Sequence, residues 1–265
     1  MAERSSRLNV SRLINLAVQK EEVSTETSFL EDFKYCVEKL NKPTHNPSPY
    51  YKPSSLHCIR NMYYQRTDTP IDNASISSDA VGIGESGTDR HERIQYYVSK
   101  MQECGIDCEW IDVETYIKEH NLTDLEIVSK GNFETKLFNN KYQFRFMCDG
   151  LIKYKGEYYI LEIKTESSFK WLSRQGVDVK HHDQAIAYSL NFGIDKVLFI
   201  YENRDVCSKK PYMFTVTEEQ RQSLINKLTT CESYVEKHIV PDKPTDIRKT
   251  VCQYCDYKSS CRKDG

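Results

Sequence analysis

Apolar residues recur along the chain in two rhythms, and each rhythm predicts a type of element. Helical spacing marks residues 8–20 and 28–41, the second through Phe29, Leu30, Phe33, Val37 and Leu40, with Ser28 and Glu31 as its capping box. Four prolines between 41 and 55 predict a linker or an extended crossing segment. A short helix follows over "SSLHCIRNMYYQ", and the polar stretch 67–79 reads as a disordered loop. A helix from about 88 to 104 places His91, Ile94, Val98 and Met101 on one face and is stopped by Gly105. Alternation of period two then predicts strands near 125–128, 133–138, 142–154 and 157–165, with hairpin turns at Asn139-Asn140 and Lys155-Gly156. A helix at 181–191 and the strand "KVLFIYE" come next. The last helix is capped by Thr217 and Gln220 and has Leu224, Ile225, Leu228 and Cys231 on its inner stripe. Strand, helix and strand at this spacing imply a right-handed parallel crossover.

That order predicts an α/β fold with a mixed central sheet flanked by helices, preceded by amino-terminal helices and followed by a cysteine-rich tail. At 265 residues, with 38% hydrophobic and 29% charged positions, the chain can bury a real core. It has no apolar run long enough to cross a bilayer. The opening "MAERSSRLNVSRL" lacks an apolar signal region, so the expected compartment is cytoplasmic. A net charge of -2 means that any nucleic-acid site must be a local basic groove on a near-neutral body. In a reducing compartment, ten cysteines read first as metal ligands where they cluster.

The candidate chemistry begins with "DGLIKYKGEYYILEIKTESS", Asp149 to Ser168. Glu162 and Lys164 share one face of a strand, roughly 7 Å apart, while Tyr159, Leu161 and Ile163 take the other. Pairing about the Lys155-Gly156 turn brings Asp149 toward them. Two carboxylates and a main-chain carbonyl, that of Ile163, suffice to seat Mg2+ or Mn2+. Such an ion polarises a phosphoryl oxygen and acidifies a bound water, and a neighbouring lysine neutralises developing charge. A cross-strand salt bridge among Asp149, Glu162 and Lys164 is the alternative reading of the same three residues.

With "CDG" at 148–150 and "LEIKT" at 161–165, the chain resembles the PD-(D/E)XK nuclease superfamily, a restriction-endonuclease-like fold. Within it, the likeness is to the RecB-like branch that includes the CRISPR-associated iron–sulfur exonucleases. That branch has a G-x3-H motif, matched by Gly87 and His91, and a Q-x3-Y motif, matched by Gln184 and Tyr188. The resemblance covers about 54 to 261. It implies Asp149 and Glu162 as metal ligands, His91 as a further ligand and Lys164 as the catalytic lysine. Gln184 and Tyr188 would hold DNA or orient the lysine. Residues 54–240 are then expected as the nuclease core, 241–265 as a segment closing a cysteine cluster with Cys58, and 1–45 as a helical extension outside the resemblance. The chain departs from the family in "RFMCDG", where a small residue or glycine usually stands shortly before the aspartate.

Cys252, Cys255 and Cys261 form C-x2-C-x5-C, and Cys58 stands far upstream. By the same resemblance these four are the ligands of a [4Fe–4S] cluster, with structural Zn2+ as the alternative. Arg60 and Tyr64 near the first cysteine, and Lys170, Trp171, Arg174 and Lys180 after the E-x-K strand, are the candidate DNA path, since basic groups follow phosphates and aromatic faces stack unpaired bases. The expected function is a Mg2+- or Mn2+-dependent deoxyribonuclease, an exonuclease on single-stranded or end-opened DNA, as in recombination or repair. A non-catalytic DNA-binding or assembly scaffold, or a nuclease for RNA or branched DNA, are the alternatives. The amino-terminal helices are the expected place for a protein partner.

Overall fold

The structure is a computed structural model and describes residues 27–42, 49–72, 76–245, 249–253 and 255–265. The helix expected at 8–20 lies outside them. The described residues divide into two compact units, those at 27–42 and 76–81, and those at 49–72 and from 82 onward. In the first, helix α1 (Thr27–Leu40) is as the apolar spacing predicts, and its Glu38 accepts a hydrogen bond from the Ser78 backbone N–H at 3.2 Å.

The second unit contains the mixed α/β fold. After a 3-10 turn at Pro53–Ser55 come α2 (Ile59–Arg66) and, from Gly82 on, α3 (Ser78–Ser99), which begins ten residues before the expected start. Gly105 caps the following 3-10 turn in the left-handed conformation, at φ 78. Strand β1 (Cys108–Ile111) and helix α4 (Val113–Glu119) were not foreseen: four residues are too few for a period to show. Strands β2 (Leu125–Lys130), β3 (Thr135–Asn139) and β4 (Phe144–Cys148) form an antiparallel meander. Strands β5 (Gly150–Tyr154) and β6 (Glu157–Glu166) follow. Helices α5 (Ser168–Ser173) and α6 (His182–Phe192) then lead to β7 (Lys196–Asn203) and the unforeseen β8 (Lys209–Thr215). Helix α7 (Glu218–Lys237) has the predicted Thr217/Gln220 capping box, and short helices α8 (Lys249–Gln253) and α9 (Lys258–Lys263) end the chain.

The central sheet runs β1-β5-β6-β7-β8, antiparallel except for the parallel β6–β7 pair, which α6 connects. Its two faces are buried differently. On one, Phe199, Tyr201, Ile160 and Leu151 join Ala185, Ala187 and Tyr188 of α6 in the main core. On the other, Leu161 and Ile163 pack with Ile94 of α3, joined by Val98, Trp110, Leu198 and Ile200. Among the described residues no helix is long and apolar enough to cross a membrane.

Three corrections follow. The strand expected over 142–154 is two strands, because the chain bends at Asp149 and passes from one sheet to the other. The Lys155-Gly156 turn stands, with φ of 51 and 82 at its two positions. The Asn139-Asn140 turn is instead a loop over 140–143 with Gln143 at φ 52. Residues 67–72 are ordered, not a disordered loop: the Asp72 N–H donates to the Asp256 carbonyl at 2.7 Å, and its carboxylate accepts from the Ser259 N–H.

Candidate active site

Asp149 occupies the joint between the two sheets. The β5–β6 ladder ends at Gly150↔Leu161, so one step beyond it Asp149 stands opposite Glu162. The β3–β4 ladder ends at Thr135↔Cys148, so one step beyond that one Asp149 stands opposite Glu134. Strand alternation thus delivers three carboxylates to one place from separate segments. The ligand atoms of His91, Glu134 and Asp149 all lie within 4.8 Å of one another. Glu162 stands outside that trio.

Glu134 is the residue that the sequence reading missed, and the misplaced hairpin is the reason. A two-residue turn at Asn139-Asn140 would pair Glu134 with Arg145. The longer loop shifts the register by four and sets it against Asp149.

Two helices fix the carboxylates. From α3, His91 Nδ1 lies 3.2 Å from Asp149 Oδ1, and Gln95 Nε2, one turn on, donates to the Asp149 backbone carbonyl at 2.8 Å. The Ile163 main chain, expected as a ligand through its carbonyl, acts on Asp149 through its N–H, which donates to Oδ2. From α6, Gln184 Nε2 donates to Glu162 Oε1 and to the Tyr188 hydroxyl, both at 2.7 Å. Tyr188 in turn donates to the Met147 carbonyl at 2.7 Å. Lys164 Nζ pairs with the same Glu162 oxygen. Gln184 and Tyr188 therefore orient Glu162, and Tyr188, only 2% exposed, is too deep to touch DNA. Gly87 meets Thr165 at ordinary contact distance, 4.0 Å from a would-be Cβ.

The electrostatics describe a centre short of positive charge. Burial, and then the Asp149 carboxylate, push Glu162 up to about 8 against the pull of Lys164 and His91. Burial and Asp149 also raise Glu134. Burial alone would lower His91, but its hydrogen bond to Asp149 and the Asp149 charge outweigh that and raise it. Glu162 is 3% and Asp149 8% exposed, so solvent screens little of this repulsion.

The expected DNA path needs correction. Arg60 is 4% exposed, with Nε donating to the Pro241 carbonyl at 2.8 Å and Nη1 to the Cys261 carbonyl at 3.1 Å. Tyr64 is buried, and its hydroxyl donates to Asp264 at 2.6 Å. Arg174 is spent on Glu166 and Asp178 beneath the surface. Trp171 donates to the Tyr201 carbonyl at 3.3 Å and carries the Lys210 ammonium 4.2 Å from its ring centre. Lys170 and Lys180 alone of the six are exposed. A buried cation is cheap only when paired, so a sequence rich in both charges draws some of its basic groups inward.

At the chain's end, Cys58, Cys252, Cys255 and Cys261 line one cavity of about 610 Å³, together with Lys243, Lys258 and Arg262. Two N–H donors address the sulfurs: Arg60 Nη1 lies 3.5 Å from Cys261 Sγ, and Asn61 Nδ2 lies 3.5 Å from Cys255 Sγ. Burial is the main cause that raises the thiols of Cys58 and Cys255.

No protein-family model matches this chain, and no curated protein does. Among solved structures, the chain is similar to the crystal structure of SSO0001 over 90% of its own length and 97% of that chain, at 15% identity and a TM-score of 0.44. It is similar to that of an alkaline exonuclease, LHK-Exo from Laribacter hongkongensis, over 72% of its own length and 90% of that chain, at 11% identity and a TM-score of 0.44.

Proposed function

We propose that the chain is a divalent-cation-dependent nuclease that hydrolyses phosphodiester bonds in DNA from single-stranded or opened ends. The observation that carries the reading is the convergence of His91, Glu134 and Asp149 within 4.8 Å, beside a Glu162 that Lys164 and Gln184 hold in place. One imidazole and two carboxylates, all hard or borderline donors, suit Mg2+ or Mn2+. The raised Glu162 and Glu134 mark the same place as one that a cation would relieve.

His91, Glu134 and Asp149 would hold the ion, with Glu162 alongside. Bound there, it supplies Lewis acidity toward a phosphoryl oxygen and acidifies a water. The rest falls to the chain. Lys164, one pleat beyond Glu162 on the same face, offers an ammonium to the charge that develops on the phosphate. The Gln184–Tyr188–Met147 relay keeps Glu162 from turning away when Lys164 leaves it for the phosphate. Lys170 and Lys180, exposed on the segment leaving β6, supply sequence-independent attraction to the backbone.

The cysteine cavity belongs to the same reading. Four thiols around one space, two of them addressed by N–H donors, fit a metal centre better than a core of packed cysteines. We read that centre as a [4Fe–4S] cluster, with structural zinc as the alternative that the same four thiolates would accept.

The test is cleavage of end-labelled single- and double-stranded DNA in Mn2+, with and without chelator, for the wild type and Lys164→Ala. Metal-dependent shortening from the ends, lost in the variant, is the expected result. A wild-type protein that leaves both substrates intact in Mg2+ and Mn2+ overturns the reading. Iron, acid-labile sulfide and zinc, measured after anaerobic purification, separate the cluster from its zinc alternative.

A further inference from the structure

The three groups that meet at the candidate cation site come from three elements with no covalent reason to keep their spacing. His91 rides on α3, Glu134 on the turn before β3, and Asp149 on the bend between β4 and β5. A carboxylate displaced by an ångström no longer shares an ion with its neighbours, so something must register the three backbones against one another.

One side chain reaches all three. Trp110 stands on β1, opposite Ile152 of β5, and is half-buried. Its indole packs against the cluster of Ile94, Leu161 and Ile163, and Ile94 lies three residues beyond His91 on the same helix. Its ring meets that of Phe133 edge-on, with centroids 5.7 Å apart, and Phe133 immediately precedes Glu134. The same ring covers Gly150, the residue after Asp149. A Cβ at Gly150 would fall 2.4 Å from Trp110 Cη2 and 2.9 Å from both Cζ2 and Cζ3. No side chain fits there while the indole keeps its place. Gly150 is therefore glycine because of what lies over it, and the contact fixes the height of the bend that carries Asp149.

We propose that Trp110 is the positioning residue of the cation site, one indole that sets the mutual spacing of His91, Glu134 and Asp149. The inference rests on the reading of that trio as a cation site and adds what holds it. Trp110 is not itself a ligand. It acts through Phe133, Gly150 and the apolar cluster that contains Ile94, as the outer contacts of metal sites do when they orient the inner ones.

The experiment is Mn2+ binding, followed by the electron paramagnetic resonance signal of free Mn2+, with no DNA present and hence no dependence on turnover. Trp110→Leu is expected to weaken Mn2+ about 10- to 100-fold, the usual cost of losing an orienting partner. Trp110→Phe, which keeps an aromatic edge for Phe133, should recover most of it. Gly150→Ala with Trp110 in place should weaken binding as well, because the ring must move. Adding Trp110→Leu to Gly150→Ala should cost less than the sum of the two, since the smaller side chain removes the clash. Circular dichroism and iron content, both unchanged, show that each variant is folded.

A folded Trp110→Leu protein that binds Mn2+ as tightly as the wild type overturns the role of Trp110 and leaves the site standing. Strict additivity of the Gly150 and Trp110 effects overturns it too. A wild type that binds no Mn2+ overturns the site itself, and Trp110's role with it.

Discussion

The acidic centre and the cysteine cavity are assembled alike and stabilised oppositely. Each gathers side chains from segments distant in sequence, Asp149 with His91 and Glu134 in one case, Cys58 with the last ten-odd residues in the other. The acidic centre stands on strands and long helices, with ladder register, Gln95 on the Asp149 main-chain carbonyl and Gln184 on the Glu162 carboxylate holding the acidic residues. The cysteine cavity stands on one eight-residue helix and two short ones, tied by side-chain contacts such as Asp72 to Ser259 and Arg60 to Cys261. In the first, the sheet holds like charges together at an energetic cost that a cation would offset. In the second, little regular structure holds the tail, and a metal centre would do the holding. The difference predicts that loss of a ligand harms function in one place and folding in the other.

The largest expected effect separates these outcomes. Glu162→Gln should reduce cleavage about 10³-fold, on the scale of losing one preorganised charge-stabilising group. In chelator its unfolding midpoint should equal or exceed the wild type's, because a neutral amide needs neither the buried charge nor the proton uptake on folding that burial and Asp149 impose on Glu162, whose carboxyl they raise to about 8. A strongly destabilised Glu162→Gln protein would break the comparison. Cys58→Ser is the reverse case. It should lose iron and about 3–5 kcal/mol of stability, by analogy with the opening of a long cross-linked loop. Thermal denaturation with iron analysis checks it, and an unchanged melting temperature would show that the cavity holds nothing.

A smaller effect tests the residue added by the fold. Glu134→Gln, which removes a proposed ligand, should raise the Mn2+ concentration needed for half-maximal cleavage by at least about 100-fold, the upper end of what losing an orienting partner costs, while leaving iron content alone. An unchanged Mn2+ requirement would remove Glu134 from the site. The smallest concerns pH. Burial, with the charges of Lys164 and Lys180, holds His181 down to about 3, against an ordinary value of 6.5. Asp178 pulls the other way and Arg174 adds to the depression. Below about pH 6.5 the unfolded chain takes a proton that the folded chain refuses, so stability is lost as pH falls toward the folded value. His181→Phe should flatten that slope by up to one proton between pH 6 and 4, as read from denaturation at several pH values. An identical slope in the variant would mean that the imidazole is not held neutral.

Much of this site was legible from residue order. Glu162 and Lys164 share a face because strands alternate, and the Lys155-Gly156 turn, which requires two positive φ angles, sets Asp149 opposite Glu162. His91 was placed by helical spacing, although its helix begins at Ser78 and not near 88. Glu134 was hidden because its partner depends on the length of a loop with no glycine to announce it. Arg60, Tyr64 and Arg174 looked like a nucleic-acid surface because composition records charge and not direction.

The sequence alone determined the order of the elements other than β1, α4 and β8, the acid–base pair on β6, the sharp turn before it and the spacing of the carboxy-terminal cysteines. All of these follow from contacts within a few residues, where backbone geometry leaves few choices. The tertiary structure alone decided that Asp149 joins two sheets, that Glu134 enters the site, that three basic or aromatic side chains turn inward, and that Trp110 lies over Gly150. Those depend on which distant segment covers which face, a choice made by packing over the whole core and written in no single stretch of the chain.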